Sequence, residues 1–134
     1  MTKLVLIALF LTAICTLNGC TTAATATSPS SATLAEQQQC SSAAKAWFKD
    51  NYSGYEMTKL ALDYSNHFNR KLNRCLVKVG GISAEHGSYT YIFEVMENRQ
   101  YAVFDVRGPF CDVGEIKCKD SEEFEKLSAP LMND

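Results

Sequence analysis

Apolar residues at the start of the chain form one uninterrupted run. Leu4–Cys15 carries no charge and follows Lys3. The run is shorter than the roughly 20 residues that a membrane-spanning helix needs, and it matches the apolar region of a secretory signal peptide. No later stretch is long or apolar enough for a membrane helix. We therefore predict an exported protein without a membrane span in its mature form.

The residues after this run are similar to the signal of bacterial lipoproteins. Leu17–Cys20 reads apolar, Asn, small, Cys. The likeness predicts a signal peptide over 1–19 and fatty acylation of Cys20, for example by palmitate, which anchors the protein to a membrane. Thr21 resembles the signal for outer-membrane sorting, so the periplasmic face of the outer membrane is expected. Cleavage after Ala26, at an A-x-A pattern, is the alternative.

Small uncharged residues continue to Ala32 and predict a flexible tether over 20–32, with a reach of about 20 Å. A helical pattern follows. Thr33 and Glu36 have capping-box spacing, and apolar residues then recur on one helical face as far as about Asn51: Cys40, Ala44, Trp47 and Phe48. Residues 33–134 are predicted to form a single globular domain.

Alternating positions next predict strands. Leu60, Leu62 and Tyr64 share one face of a first strand, and a polar loop is expected over 66–71. A second strand places Cys75, Val77 and Val79 on one face and ends at Gly80-Gly81.

The strongest alternation predicts a hairpin between residues 89–97 and 100–107. A two-residue turn at Asn98-Arg99 would pair Val95 with Ala102, Phe93 with Phe104 and Tyr91 with Val106. In this register Glu94 and Asp105 point to solvent.

Acidic residues near Asp120 open a last helix, which turns Phe124 and Leu127 inward and ends at Pro130. The order of elements predicts an α+β fold. It has an N-terminal helix, a mostly antiparallel sheet of three to five strands and a short C-terminal helix, with both helices on one face of the sheet.

Four cysteines remain in the mature domain, and an even number in an exported protein predicts two disulfides. Gly114-Glu115 suits a type II′ turn, which would place Cys111 opposite Cys118 at bonding distance. Cys40 then pairs with Cys75 by elimination. No cysteine spacing matches a zinc site, so no metal or other cofactor is predicted.

Charge and clustered side chains narrow the choice of partners. Without Lys3 the mature chain has 12 − 15 = −3 charges, which argues against nucleic acid. His67 has Asp63 and Ser65 nearby, but members of a catalytic triad come from separated segments, so we expect an ordinary histidine. With the basic cluster Arg70, Lys71 and Arg74, His67 marks a candidate partner contact.

The segment Tyr64–Leu76 contains Tyr-x-x-His-aromatic-Asn-x-Lys-Leu-x-x-Cys. This pattern resembles a stretch in small uncharacterised bacterial envelope lipoproteins, and the turn at 97–101 is similar to theirs. The likeness covers about a fifth of the chain. It implies a shared fold and assigns no chemistry.

These observations favour a lipid-anchored envelope protein that binds one envelope or secreted protein without enzymatic activity, such as an inhibitor, an immunity factor or an assembly accessory. The alternative is a binder of a small ligand or a cell-wall glycan that uses His67 and Arg70. A hydrolase centred on His67 is the third hypothesis.

Overall fold

The computed structural model of the protein describes residues 31–53, 61–83, 87–108 and 110–133. Its elements follow the chain in this order: α1 Leu34–Tyr52, β1 Ala61–Asn69, β2 Arg74–Ser83, β3 Gly87–Glu94, β4 Arg99–Asp105, β5 Phe110–Val113, β6 Ile116–Lys117 and α2 Ser121–Met132. The six strands form one antiparallel sheet in chain order. The α+β class is confirmed, with one strand more than the upper expectation. The predicted signal peptide, Cys20 and most of the tether lie outside the described residues.

The two helices cover opposite faces of the sheet, so the expectation that both lie on one face was wrong. Cys75, Val77 and Val79 pack with α1, on what we call the first face. Leu76 lies between them in the chain and packs with Phe124 of α2, on the second face. Strand β2 is therefore apolar on both sides. The prediction from sequence considered only the odd-numbered apolar residues of β2. It therefore missed that the even-numbered face of the strand is also buried.

Helix α1 begins as its sequence predicts. The Thr33 hydroxyl accepts the Glu36 backbone N–H at 3.3 Å, and the Glu36 carboxylate accepts the Thr33 backbone N–H at 2.8 Å. This reciprocal capping box satisfies two N–H groups that have no partner inside a helix. Cys40, Ala44 and Trp47 are buried against the sheet.

Both predicted disulfides are present. Cys40–Cys75 joins α1 to β2, and Cys111–Cys118 closes the hairpin of β5 and β6. In that hairpin Val113 pairs with Ile116, and Gly114 has φ +61°. A positive φ at the first central residue is what a type II′ turn requires, and glycine adopts it at little cost.

The predicted register of β3 and β4 was wrong. Ala102 pairs with Ile92, and Phe104 pairs with Thr90, so Phe104 lies on the second face while Phe93 lies on the first. A register shift at Ile92/Phe93 leaves Tyr101 as an extra residue in β4. The connecting turn is also longer, because β3 already ends at Glu94.

A buried carboxylate sets this longer turn. Glu94 is 1% exposed, not solvent-facing as predicted, and its two carboxylate oxygens accept the backbone N–H groups of Met96 at 3.1 Å and Glu97 at 2.5 Å. Asn98 then adopts a left-handed φ of 52°, and its side-chain oxygen accepts the indole N–H of Trp47 at 2.9 Å. Hydrogen bonds that the side chains of Glu94 and Asn98 accept therefore stabilise a longer turn than the two-residue turn that the alternation of apolar and polar residues predicted.

Three predicted boundaries also differ. Strand β1 continues to Asn69, so His67 belongs to a strand and not to a polar loop. Strand β2 continues through Gly80 and Gly81. Helix α2 passes Pro130 and ends at Met132. No helix in the part of the chain that the structure describes is long and apolar enough to cross a membrane.

Candidate functional site

The predicted contact residues lie along the hairpin of β1 and β2, but two of the three basic groups have acidic partners. Arg70 forms an ion pair with Glu36 at 2.5 Å, and Arg74 forms one with Glu97 at 2.6 Å. Lys71 is exposed in the turn between them. The basic cluster is therefore largely neutralised by its own chain, which weakens its attraction for an anionic partner.

His67 lies in β1 with Asp63 and Ser65 at alternate positions, so all three point toward the second face. That is the arrangement a strand imposes on residues two apart, and it separates successive side chains by about 6–7 Å. The structure does not bring the three into a catalytic triad. The described residues also contain no group of three or more His, Cys, Asp or Glu side chains that could hold a metal ion.

The positions that carry the resemblance to envelope lipoproteins hold the hairpin to both helices. Tyr64 stacks on Phe48 of α1 with ring centroids 4.3 Å apart. The Phe68 backbone N–H donates to Gln37 at 3.2 Å, and Cys75 is disulfide-bonded to α1. The Asn69 side chain donates to the carbonyl oxygens of Pro130 and Leu131 in α2. The pattern therefore has a structural explanation in this chain.

A different cluster lies on the first face, beyond the reach of α1. Within the described residues α1 packs on β1 and β2, and its Trp47 contacts Phe93 of β3 with ring centroids 5.1 Å apart. Strands β4 and β5 lie further along the sheet. We call the part of the first face here that no described helix covers the open face. It consists of Tyr91 of β3, Val103 and Asp105 of β4, and Phe110 and Asp112 of β5, together with the adjoining Arg107.

Asp105 is buried on this face and is held in place by two neighbours. Its carboxylate accepts the Tyr91 hydroxyl at 2.6 Å and the Arg107 backbone N–H at 2.9 Å. The Arg107 guanidinium donates from Nε at 2.8 Å and from Nη2. Asp105 was predicted to face solvent, and that prediction was wrong because the register of β3 and β4 was misread.

Arg107 is fixed on several sides and still presents one edge outward. Nη2 also donates to the Tyr91 hydroxyl at 3.2 Å, and the guanidinium carbon lies 5.2 Å from the centre of the Tyr89 ring. The side chain is 44% exposed. The hydrogen bonds of the guanidinium use Nε and Nη2, so among the described residues the two N–H groups of Nη1 have no acceptor.

The electrostatics of this cluster favour fixed charges. Hydrogen bonds from Arg107 hold the pKa of Asp105 well below its usual range, even though burial alone would raise it. Burial, followed by the hydrogen bond to Asp105, raises the pKa of Tyr91. Asp105 therefore stays ionised and Tyr91 stays protonated around neutral pH. Neither group therefore changes its protonation state near neutral pH, and the cluster keeps a fixed pattern of charge there.

Apolar surface adjoins the Arg107 edge. Phe110 is 57% exposed, and its ring lies against the backbone of Gly108, where an added Cβ would meet the ring. Val103 is half-buried beside Tyr91. The sequence reading missed this site. Asp105 and Arg107 are two residues apart, so their side chains lie on the same face, opposite the two tyrosines of β3. This arrangement becomes visible only with the correct register of β3 and β4.

Comparison of the chain with protein-family models, curated proteins and solved structures finds no match.

The ion pair of Asp105 gives a pH-dependent prediction. Asp105→Asn should lower the free energy of unfolding by about 2 kcal/mol at pH 7, because a buried charge-assisted network is lost. Since the folded-state pKa is depressed, this stabilisation is present above the ordinary aspartate pKa of about 3.9 and is lost as pH falls below it. Urea unfolding of the unsubstituted protein and of Asp105→Asn, from pH 7 to pH 3, measures this. The difference between their free energies of unfolding should shrink as the pH falls.

Asp112→Asn is the matched control for that measurement. Asp112 pairs with Lys117 at 2.5 Å, but the lysine side chain is 82% exposed, so a loss below about 1 kcal/mol is expected. A difference for Asp105→Asn that stays constant down to pH 3 would show that the lost hydrogen-bond acceptor, not the charge, explains its effect.

Proposed function

We propose that the protein is a lipid-anchored envelope protein that binds another envelope or secreted protein through its open face and has no enzymatic activity of its own. An inhibitor, an immunity factor or an assembly accessory would fit. The signal pattern ending at Cys20 supports the anchor and a location at the periplasmic face of the outer membrane. The observation that carries the binding role is the exposed Phe110, which pairs with Asp105 across the sheet, together with the part-exposed Arg107 bonded to that same Asp105.

These groups have the properties of an interface centre. Aromatic and arginine side chains contribute most of the binding energy at protein interfaces. Tyr91 and Asp105 already hold Arg107 in one orientation, so little side-chain entropy is lost when a partner binds it. The partner we expect presents an apolar patch around a carboxylate or carbonyl oxygen, which would accept the Nη1 donors of Arg107.

Site-specific photocrosslinking in cells tests this proposal. A benzoylphenylalanine at position 110 should yield one defined adduct with a second protein. The same residue at position 122, an exposed site on α2, is the control and should yield none. With the purified partner, Phe110→Ala should raise Kd at least tenfold and Glu122→Ala should leave it unchanged. An adduct at 122 but not at 110 would contradict the role of the open face.

A small ligand or cell-wall glycan remains a second candidate because of one depression in the sheet. It measures about 470 Å³, and Gly80, Asp63, Ile82 and Thr90 are among its lining residues. That volume falls within the range of ligand pockets. His67 and Arg70, first considered for this role, are not among its lining residues. A thermal-shift panel of cell-wall fragments tests it: an unchanged Tm throughout would contradict glycan binding.

A further inference from the structure

We infer that one end of the domain rests on the lipid surface to which the proposed anchor on Cys20 attaches it. We call this region the tether end; it comprises the start of α1, the turn between β1 and β2 and the turn between β3 and β4. The inference rests on the proposed lipid anchor. It is independent of the open face, which contributes no residue to the tether end.

The ion pairs described above hold the three segments of the tether end together. Arg70–Glu36 connects the β1–β2 turn to the first turn of α1, and Arg74–Glu97 connects β2 to the β3–β4 turn. In an antiparallel sheet whose strands follow chain order, both turns also lie at the same end of the strands. The chain therefore leaves the predicted tether directly into this end of the domain, at Thr33.

Each of the three segments exposes one large apolar side chain. Leu34 is 74% exposed, Leu72 is 41% exposed and Met96 is 77% exposed. Because the three segments are neighbours at one end of the sheet, these side chains supply the apolar area that a contact at this end would cover. A bilayer surface is the contact that the tether supplies, because its predicted reach of about 20 Å keeps this end close to the membrane.

Charge does not drive the contact. The tether end carries Arg70, Lys71, Arg74 and Arg99 against Glu36, Glu94 and Glu97, so its net charge is only 4 − 3 = +1. Two of the four bases, Arg70 and Arg74, are already paired with acids. Lys71 and Arg99 can extend their charged groups to the headgroups while their alkyl chains lie against the apolar residues. We therefore expect contact with zwitterionic lipid as readily as with anionic lipid, and little dependence on salt.

The orientation leaves the opposite end free. The β4–β5 connection, with Arg107 and Phe110, lies at the other end of the strands. The tether keeps the tether end at a high effective concentration near the bilayer. A weak contact is therefore enough to fix this orientation. Arg107 and Phe110 then lie at the end of the open face that is farthest from the membrane, where proteins of the surrounding compartment can reach them.

Paramagnetic NMR on the lipidated mature protein tests the orientation. The protein is placed in zwitterionic nanodiscs that contain a gadolinium-chelating lipid. We expect the amide signals of Lys71, Leu72 and Met96 to lose at least five times more intensity than those of Arg107 and Phe110. Leu72→Ser/Met96→Ser should abolish this contrast. Ile82→Ser/Val106→Ser, which changes exposed apolar residues elsewhere, should leave it intact.

The outcomes separate the orientation from the anchor. Protein that carries no lipid on Cys20 by mass spectrometry and does not associate with nanodiscs overturns the anchor and, with it, this inference. If the protein is anchored but the amide signals at both ends of the domain are broadened equally, the orientation is wrong and the anchor is not affected. Concentration-dependent shifts at Leu72 and Met96 without any bilayer would also overturn it, because they would assign this surface to a second copy of the chain.

Discussion

Replacing Cys40 and Cys75 together by alanine is expected to lower the free energy of unfolding by about 4 kcal/mol. The disulfide closes a loop with a sequence separation of 35, and loop entropy in the unfolded chain grows with loop length. It also joins α1 to β2, so without it the helix that covers the first face loses its covalent link to the sheet. Denaturant unfolding, followed by far-ultraviolet circular dichroism, gives the difference directly.

The second disulfide provides the matched control. Cys111→Ala/Cys118→Ala opens a loop with a separation of only 7, for which the same relation gives about 2.5 kcal/mol. The order of the two losses is therefore the test. If the Cys111–Cys118 pair proves the more stabilising, chain entropy is not the main contribution of these bonds, and the packing of Cys111 beneath α2 would have to explain the result.

Asn69→Asp is expected to destabilise the protein by about 3 kcal/mol or more. The Asn69 side chain is 1% exposed, and its Nδ2 donates to the carbonyl oxygens of Pro130 at 2.9 Å and Leu131 at 3.0 Å. Its Oδ1 accepts the Leu72 backbone N–H at 2.9 Å. Aspartate would lose both donors and set a buried acid against two carbonyl oxygens, which is among the most costly changes in a core.

Asn133→Asp is the control for this substitution, because it makes the same chemical change at an exposed site at the end of the same helix. The Asn133 side chain donates to Ala129 at 3.2 Å in solvent, and we expect a change within about 0.5 kcal/mol. Similar effects at both positions would show that Asn69 does not hold the hairpin of β1 and β2 to α2. In that case, Tm should also be nearly unchanged in Asn69→Ala.

Local signals explain what the sequence predicts correctly. The start of α1 depends on Thr33 and Glu36, three residues apart, and the Cys111–Cys118 bond depends on a glycine in a two-residue turn. Both are decided by neighbours in the chain. The pairing of Cys40 with Cys75 followed only because two cysteines remained.

Long-range packing explains what could not be predicted. Nothing near Glu94 shows that its carboxylate is buried and bonds the next turn, yet this turn shifts the register of β3 and β4. Because one wrong register moves every side chain to the other face, the Asp105 and Arg107 site was lost with it. Burial of β2 on both faces was similarly hidden, since alternation suggests only one.

Among the four cysteines of residues 33–134, the disulfides join neighbours in the chain: Cys40 to Cys75 and Cys111 to Cys118. Four cysteines permit three pairings, and this is the one that a chain reaches if each thiol is oxidised with the next to appear. If the chain enters an oxidising compartment amino terminus first, as its signal pattern predicts, Cys40 and Cys75 are the first two of these thiols to meet. Maturation should then proceed without disulfide reshuffling, a slow process on the scale of seconds to hours, and without help from an isomerase.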